Sequence, residues 1–297
     1  MSTPAKRVFS LKMAKQTAEA LLRDEGITTL PVDPFAIAES RDIVVEGKSE
    51  STEGVSGMLL RHGNNFGIIY ATHIPSKGFQ RFSVGHELGH YFLPGHIDNV
   101  LGSGFHVSRA GFVAGDSYEL EADHFAAGLL MPSAPFRNAI DSYDPGLNAI
   151  EAVSELSKTS RTATAIRFAE LTDFAVAVIM STGGIIDYCF MSEAMKSLPK
   201  LDYLSKGTLL PSGTATARLA ADAPRVRNGG RIADETYIQD WLGGTTKAAV
   251  FEESVGLGEY GKVLTVLVSP TIGETNEIDE GDEEDDLIES WTPRFRR

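Results

Sequence analysis

The spacing of apolar and polar residues along the chain predicts a mixture of helices and short strands. In the first half, this spacing predicts an amphipathic helix over residues 10–25 and further helices over residues 79–93 and 117–130. Asp33 followed by Pro34 predicts the start of another short helix, since aspartate caps helices and proline fits the first helical position. Apolar, β-favouring runs predict three strands, at residues 43–46, 55–61 and 66–71.

The second half begins with two short predicted helices, at residues 147–156 and 161–171. The four residues between them give helix-turn-helix spacing. Strands are predicted further on, at residues 174–181, 184–190, 248–252 and 263–269. The segment 199–244 is punctuated by Gly and Pro, and its pattern predicts no element. Helices and strands in this arrangement predict an α+β fold.

The composition is that of a folded chain. Its 297 residues are about two domains' worth, and 42% hydrophobic with 23% charged residues is typical of globular proteins. The apolar runs are too short for the roughly 20 residues that a membrane helix needs, so we expect no membrane partner. Residues 1–7 lack the apolar core of a secretory signal. We therefore expect a soluble, cytoplasmic protein.

The negative charge is concentrated near the carboxyl end. The net charge is −14, and residues 274–289 hold ten acidic and no basic residues, so −14 + 10 leaves −4 for the rest. Nucleic-acid binding needs concentrated Lys and Arg, so a large nucleic-acid surface is not expected, although a small one is not excluded. The acidic run is too polar to fold alone, and residues 271–297 are predicted to be an acidic tail.

Cysteine usage limits the kinds of metal site that the chain can build. Cys189 is the one cysteine, so neither an internal disulfide nor a thiolate cluster is possible. Any bound metal must therefore be held by histidine and carboxylate ligands.

The strongest chemical signal is the sequence His-Glu-Leu-Gly-His at residues 86–90. Four residues advance a helix by about 400°, so His86 and His90 project from one face with Cβ atoms roughly 5–6 Å apart. Both imidazoles can reach one metal ion. Glu87 is close enough to accept a proton from a water that the metal activates, without being a ligand. The alternative is a chance pairing on a solvated helix face, which residue frequencies make rare.

A third protein ligand is needed, because a catalytic zinc site uses three side chains and a water. On the helix at residues 117–130, Glu119 and Asp123 share a face, whereas Glu121 points about 200° away from Glu119. We predict Glu119 as the third ligand and Asp123 as the acceptor for the free ring N–H of a ligating histidine. Glu121 is predicted to be a solvated surface charge. Ala122 and Ala126 would let the two helices approach closely.

Glu119 has an alternative interpretation as a helix-capping residue. Asp116 stands three positions before it, which resembles a capping box. Such a box prefers Ser or Thr at its first position, and this favours Glu119 as a metal ligand.

These motifs resemble those of the ImmA/IrrE metallo-endopeptidases, which are gluzincin-like enzymes of bacteria and phages that cleave repressors with helix-turn-helix domains. The likeness covers residues 32–171 and rests on three segments, residues 86–90, Glu-x-x-Ala-Asp-x-Phe-Ala at 119–126, and Leu-Leu-Met-Pro at 129–132. Family members often have another histidine soon after the first motif. In this chain the nearest histidine after that motif is His96. Many have Asn where this chain has Asp123.

The resemblance implies a zinc-dependent endopeptidase whose substrate is a cytosolic regulatory protein, namely a helix-turn-helix repressor. We expect one Zn²⁺ per chain, held by His86, His90 and Glu119, with Glu87 as the catalytic base. Two His and one Glu also suit manganese, but the affinity order of divalent metals favours zinc.

Four regions are expected along the chain. The first, residues 1–145, would be a zincin-like metallo-endopeptidase domain of helices and a small sheet. The second, residues 146–172, would be a helix-turn-helix-like segment. The third, residues 173–270, would be a smaller α/β carboxyl region, for which a sensor-like role is one interpretation. The acidic tail, residues 271–297, would be the fourth.

The helix-turn-helix-like segment also supports a different function. It offers Lys158, Arg161 and Arg167 as phosphate contacts, although a helical pair packed on the protease domain is the alternative. The rival function is a transcription regulator that binds DNA or senses a ligand and has a structural metal site. Glu87 favours the enzyme, since a structural site needs no base beside its ligands.

Two further features of a peptidase are left open by the sequence. Zinc peptidases use a His or Tyr to polarise the scissile carbonyl, and the candidates here are His106, Tyr118 and Tyr91. An extended substrate is expected to pair with an edge strand, which we place among the strands of residues 55–71.

Overall fold

The computed structural model describes residues 4–49, 55–102, 104–109, 116–199, 201–244 and 248–269. Within them, helices and two β-sheets confirm the predicted α+β class. The acidic run at residues 274–289 lies outside the described residues.

The helices of the described residues are mostly short. They are α1 Pro4–Asp24, α2 Pro34–Glu39, α3 Lys77–Phe92, α4 His96–Val100, α5 Ser117–Leu130, α6 Ser133–Ile140, α7 Leu147–Ser157, α8 Arg161–Leu171, α9 Glu193–Lys196, α10 Ala215–Ala220, α11 Ala223–Arg227 and α12 Ile238–Leu242. The strands are β1 Val44–Lys48, β2 Val55–His62, β3 Asn65–Ala71, β4 Phe105–Arg109, β5 Ala175–Thr182, β6 Ile185–Met191, β7 Arg231–Tyr237, β8 Ala249–Gly256 and β9 Lys262–Ser269.

The first sheet has the strand order β1-β3-β2-β4. The predicted hairpin joins β2 to β3, and Gly63 adopts the positive φ of 63° that its tight turn requires. The expectation of a substrate edge among residues 55–71 is wrong, because β2 and β3 both have a strand on each side. In the described part of this sheet the edges are β1 and β4, and β4 pairs antiparallel with β2.

Helix α3 packs on this sheet, helix α5 packs on α3, and both contribute to the same core. Their buried residues Val84, Leu88, Phe125 and Leu129 join Leu59 of β2 in one apolar cluster. Local capping fixes where each helix begins. The side chain of Ser76 accepts from the N–H of Phe79, and that of Asp116 accepts from the N–H of Tyr118.

The second sheet is antiparallel, with the order β6-β5-β9-β8-β7. Helices α7 and α8 cover one of its faces, and their buried residues Ile150, Val153 and Phe168 share a core with Val178 and Val266 of the strands. This core also includes Leu130 and Phe136, so it extends back into the first half of the chain. The α7–α8 pair therefore packs against elements that precede it in the chain and against the sheet that follows it.

The sequence did not predict β4, α4, α6 or the elements of residues 199–244. Strand β4 lies in a Gly-rich stretch and is held by backbone pairing to β2, for example Met58 with Val107. Such partners lie far away in sequence, so the local pattern carries little signal for them.

Candidate metal centre

Helices α3 and α5 lie unusually close together, and small residues make this possible. A Cβ at Gly89 would come within 2.9 Å of the Ala122 Cα, and one at Gly85 within 3.4 Å of the Ala126 Cβ. Ala122 and Ala126 are fully buried. The prediction that these alanines allow a close approach is confirmed, and the approach brings the side chains of the two helices face to face.

Three side chains from these helices converge on one point. The Nε2 atoms of His86 and His90 lie 3.0 Å apart. The Glu119 carboxylate approaches both rings, with Oε2 at 3.4 Å from His86 Nε2 and Oε1 at 3.2 Å from His90 Nε2. Ligands about 2.0–2.1 Å from a tetrahedral zinc ion lie about 3.3 Å from one another. The two ring nitrogens and the Glu119 carboxylate therefore have separations close to those of three ligands of one such ion, and this donor set fits the predicted metal.

The charge of the cluster also favours a cation. Burial opposes protonation of His86, but its hydrogen bonds to Asp123 and Glu119 outweigh burial and raise the pKa of His86 well above its ordinary value. The two carboxylates thus draw a positive charge to this point, and a metal ion would supply it in place of the proton.

Asp123 lies where the sequence prediction put it, against the ring of His86. Its Oδ1 is 2.8 Å from His86 Nδ1, and the residue is almost completely buried. Burial raises the pKa of Asp123 to about 6, although the hydrogen bond to His86 works in the other direction. This contact directs His86 Nε2 towards His90 and Glu119.

His90 is the most deeply buried of the three converging residues. Burial lowers the pKa of His90 to about 3, against the opposing hydrogen bond to Glu119. The ring is therefore neutral at physiological pH, which is the form that binds metals.

Glu87 is fully buried, and the hydroxyl of Ser108 in β4 lies beside its carboxylate. Burial raises the pKa of Glu87 to about 7, and the charge of the neighbouring His86 limits the rise. A carboxyl group with such a pKa can both accept and donate a proton near neutral pH. Its position depends on Gly57 in β2, because a Cβ there would lie 2.4 Å from Glu87 Oε1.

His106 approaches the cluster from the edge strand β4. Its Nε2 lies 2.7 Å from Glu119 Oε1, and its ring centroid is 4.6 Å from that of His90. Burial would raise the pKa of Glu119, but hydrogen bonds from His106, His86 and His90 lower it well below the usual range. The Glu119 carboxylate is therefore charged and directed at the histidines, while Asp116 alone of this pair acts as the helix cap.

The two tyrosines considered beside His106 lie elsewhere. The ring of Tyr91 packs against Phe66 at 5.0 Å and belongs to the apolar core of the first sheet. The ring of Tyr118 packs edge-on against His96, with centroids 4.9 Å apart. Of the three candidates, His106 is the one whose polar atom contacts a converging side chain.

The prediction that Glu121 is a solvated surface charge is wrong. Its Oε2 lies 3.1 Å from His96 Nε2, and His96 Nδ1 lies 3.1 Å from His90 Nδ1. Helical phase correctly separates Glu121 from Glu119, but Glu121 lies against His96 of α4 and is only partly exposed. The signal that could have been used is His96 itself, a histidine that follows residues 86–90 by six positions and had no assigned partner.

Comparisons with known proteins agree with these observations. Residues 38–169 match a peptidase family described as the IrrE N-terminal-like domain, and this match confirms the resemblance drawn from the motifs. Among solved structures, the chain is similar to a Mycobacterium tuberculosis transcriptional regulator, with 15% identity and a TM-score of 0.54 over 86% of this chain and 76% of the other. At this identity the likeness concerns the fold alone.

Two further searches give negative results. No curated protein matches the chain. None of the helices in the described residues is both long and apolar enough to cross a membrane.

Proposed function

We propose that this protein is a zinc-dependent endopeptidase that cleaves a cytosolic regulatory protein, because residues 38–169 match the IrrE N-terminal-like peptidase family. One observation carries the proposal. His86, His90 and Glu119 converge with the separations of three zinc ligands, and the buried carboxylate of Glu87 follows the first of them in the chain.

The proposed centre holds one Zn²⁺ per chain through His86, His90 and Glu119. Bound there, zinc would act as a Lewis acid towards water and the scissile carbonyl. Three protein ligands suit a catalytic site, because a structural zinc site is closed by four.

Glu87 is the proposed general base. Burial gives its carboxyl group a pKa of about 7, so it can take the proton of the attacking water. Returning that proton to the leaving amine completes hydrolysis of the peptide bond. Asp123 holds the ring of His86 through its 2.8 Å contact.

His106 is the proposed group that polarises the scissile carbonyl. It lies on the edge strand, half-buried, and its ring packs against that of His90. An extended peptide that pairs with β4, an edge strand of the sheet among the described residues, would pass beside it. Backbone hydrogen bonds to a strand edge bind many sequences, so selectivity would come from surfaces elsewhere.

The proposed substrate is a helix-turn-helix repressor, which is what the family resemblance supports. A role of the α7–α8 pair in DNA binding has less support. Arg167 is buried and donates to the backbone carbonyl of Met131, while Arg161 pairs with Glu151 at 3.3 Å. The Arg167 contact joins the pair to the protease domain and the Arg161 contact lies within the pair, so both guanidinium groups already have protein partners.

The test is cleavage of a helix-turn-helix repressor encoded beside the gene. The zinc-loaded full chain is mixed with the purified repressor, and intact mass spectrometry follows the products. We expect two fragments from one cleavage site, and no fragments with a chelator or with His90→Ala. Equal cleavage by His90→Ala would contradict the proposal.

A further inference from the structure

We propose that His96 and Glu121 form a positioning relay that holds the ring of His90 in the tautomer whose Nε2 lone pair faces the metal site. The inference rests on the proposed metal centre. His96 and Glu121 both lie outside the set of proposed ligands, and together they hold the ring of His90.

The direction of the protons follows from the contacts. His90 Nε2 faces His86 and Glu119, so binding through this atom leaves the ring proton on Nδ1. His90 Nδ1 lies 3.1 Å from His96 Nδ1, which must then accept. His96 consequently carries its own proton on Nε2 and donates it to Glu121 Oε2 at 3.1 Å. The position of the proton on each ring therefore determines its position on the next group.

Burial makes this relay necessary, because water cannot take its place. His90 is fully buried and His96 is 1% exposed. Without an acceptor at His96, the Nδ1–H of His90 would be a buried donor with no partner, which costs free energy. The ring would then favour the opposite tautomer, which presents N–H and not a lone pair to the metal.

The backbone supports the placement of His96. Gly95 has a φ of 79°, a conformation that side-chain-bearing residues rarely adopt, and it caps the short helix α4. His96 is the first residue of α4, and the ring of Tyr118 packs edge-on against it. The ring is therefore fixed between α3 and α5.

The two ligating histidines are thus anchored in different ways. His86 meets a buried carboxylate directly, through Asp123. His90 meets a carboxylate only through a second imidazole, and Glu121 at the far end is partly exposed. Partners of this kind typically change metal affinity by about 10–100-fold when they are removed.

The experiment measures zinc affinity of the full chain by competition with a chromophoric chelator. His96→Phe keeps an aromatic ring beside Tyr118 but cannot accept, and we expect zinc to bind about 10–100-fold more weakly. His96→Asn keeps an acceptor near the position of Nδ1, and we expect it to recover most of the affinity. Glu121→Ala should weaken binding, and Glu121→Gln should weaken it less.

Asp98→Asn is the matched control, since Asp98 is an exposed carboxylate on the same helix as His96. It should bind zinc as the parent does. Thermal unfolding of the metal-free variants checks that each one is folded. If His96→Phe fails to fold, the comparison of Glu121→Ala with Glu121→Gln provides the test.

Two results would overturn the relay. The first is parental zinc affinity in Glu121→Ala together with equal affinities for His96→Asn and His96→Phe, while His90→Ala has lost the metal. The proposed metal centre would then stand without the relay. The second is parental affinity in His90→Ala, which would remove the metal centre and the relay with it.

Discussion

Replacing Gly57 with alanine should disable Glu87 while leaving the metal ligands in place. Gly57 is buried in β2, and the new Cβ would lie 2.4 Å from Glu87 Oε1 and 3.2 Å from its Cδ. Gly57 is absent from the positions with positive φ, so alanine adds no backbone strain there. The effect would come from the contact with the carboxylate.

The size of the effect follows from this distance. Non-bonded atoms attract at about 3.5–4.0 Å, so the carboxylate must move by about 1 Å. A misplacement of this size in a catalytic group can cost about 100-fold in rate, or about 2.7 kcal/mol in activation free energy. The three atoms nearest to this Cβ position all belong to Glu87, so we expect the zinc content to stay at about one per chain.

The assay compares kcat/KM for cleavage of the repressor with zinc content, for Gly57→Ala and a matched variant. Gly67→Ala is the control, because a Cβ at Gly67 in β3 meets nothing closer than the carbonyl oxygen of Val44, at 3.5 Å. We expect near-parental activity for the control and about 100-fold less for Gly57→Ala. Equal activity of the two variants would refute the assigned position of Glu87.

Three substitutions and one thiol reaction test other parts of the structure. Glu119→Ala should lose bound zinc, while Asp123→Ala should weaken zinc binding about 10–100-fold, both measured by metal analysis after dialysis. Arg167→Ala should lower the free energy of unfolding by about 3–5 kcal/mol in denaturant titrations, because it removes a 5% exposed guanidinium and leaves Glu19 without its 3.2 Å partner. Burial raises the pKa of Cys189 to about 12, so its thiol should react with Ellman's reagent at pH 8 only after unfolding.

The features that depend on nearby residues could be predicted from the sequence. Helices α5 and α8 have the predicted bounds, because their period and caps are local. The pairing of His86 with His90, and the choice of Glu119 over Glu121 as the residue beside them, follow from helical geometry alone.

The features that the sequence could not predict depend on contacts between distant segments. His106 lies on β4, which is held by pairing with β2. His96 comes after Pro94 and Gly95, where the period of α3 has ended. Helical phase gives the side of α5 on which Glu121 lies, but it cannot tell that α4 covers that side. A sheet edge or a buried relay appears only when the elements are assembled.

The central claim is that this chain is a peptidase in which Glu87 does chemistry and does not hold the metal. Glu87→Gln keeps the size of the side chain but cannot accept the proton of the attacking water. The direct measurement is zinc content and repressor cleavage in the same preparation of this variant. The account predicts about one zinc per chain and no cleavage. Cleavage by Glu87→Gln at the parental rate would contradict it, and a regulator with a structural metal site would then be the better description.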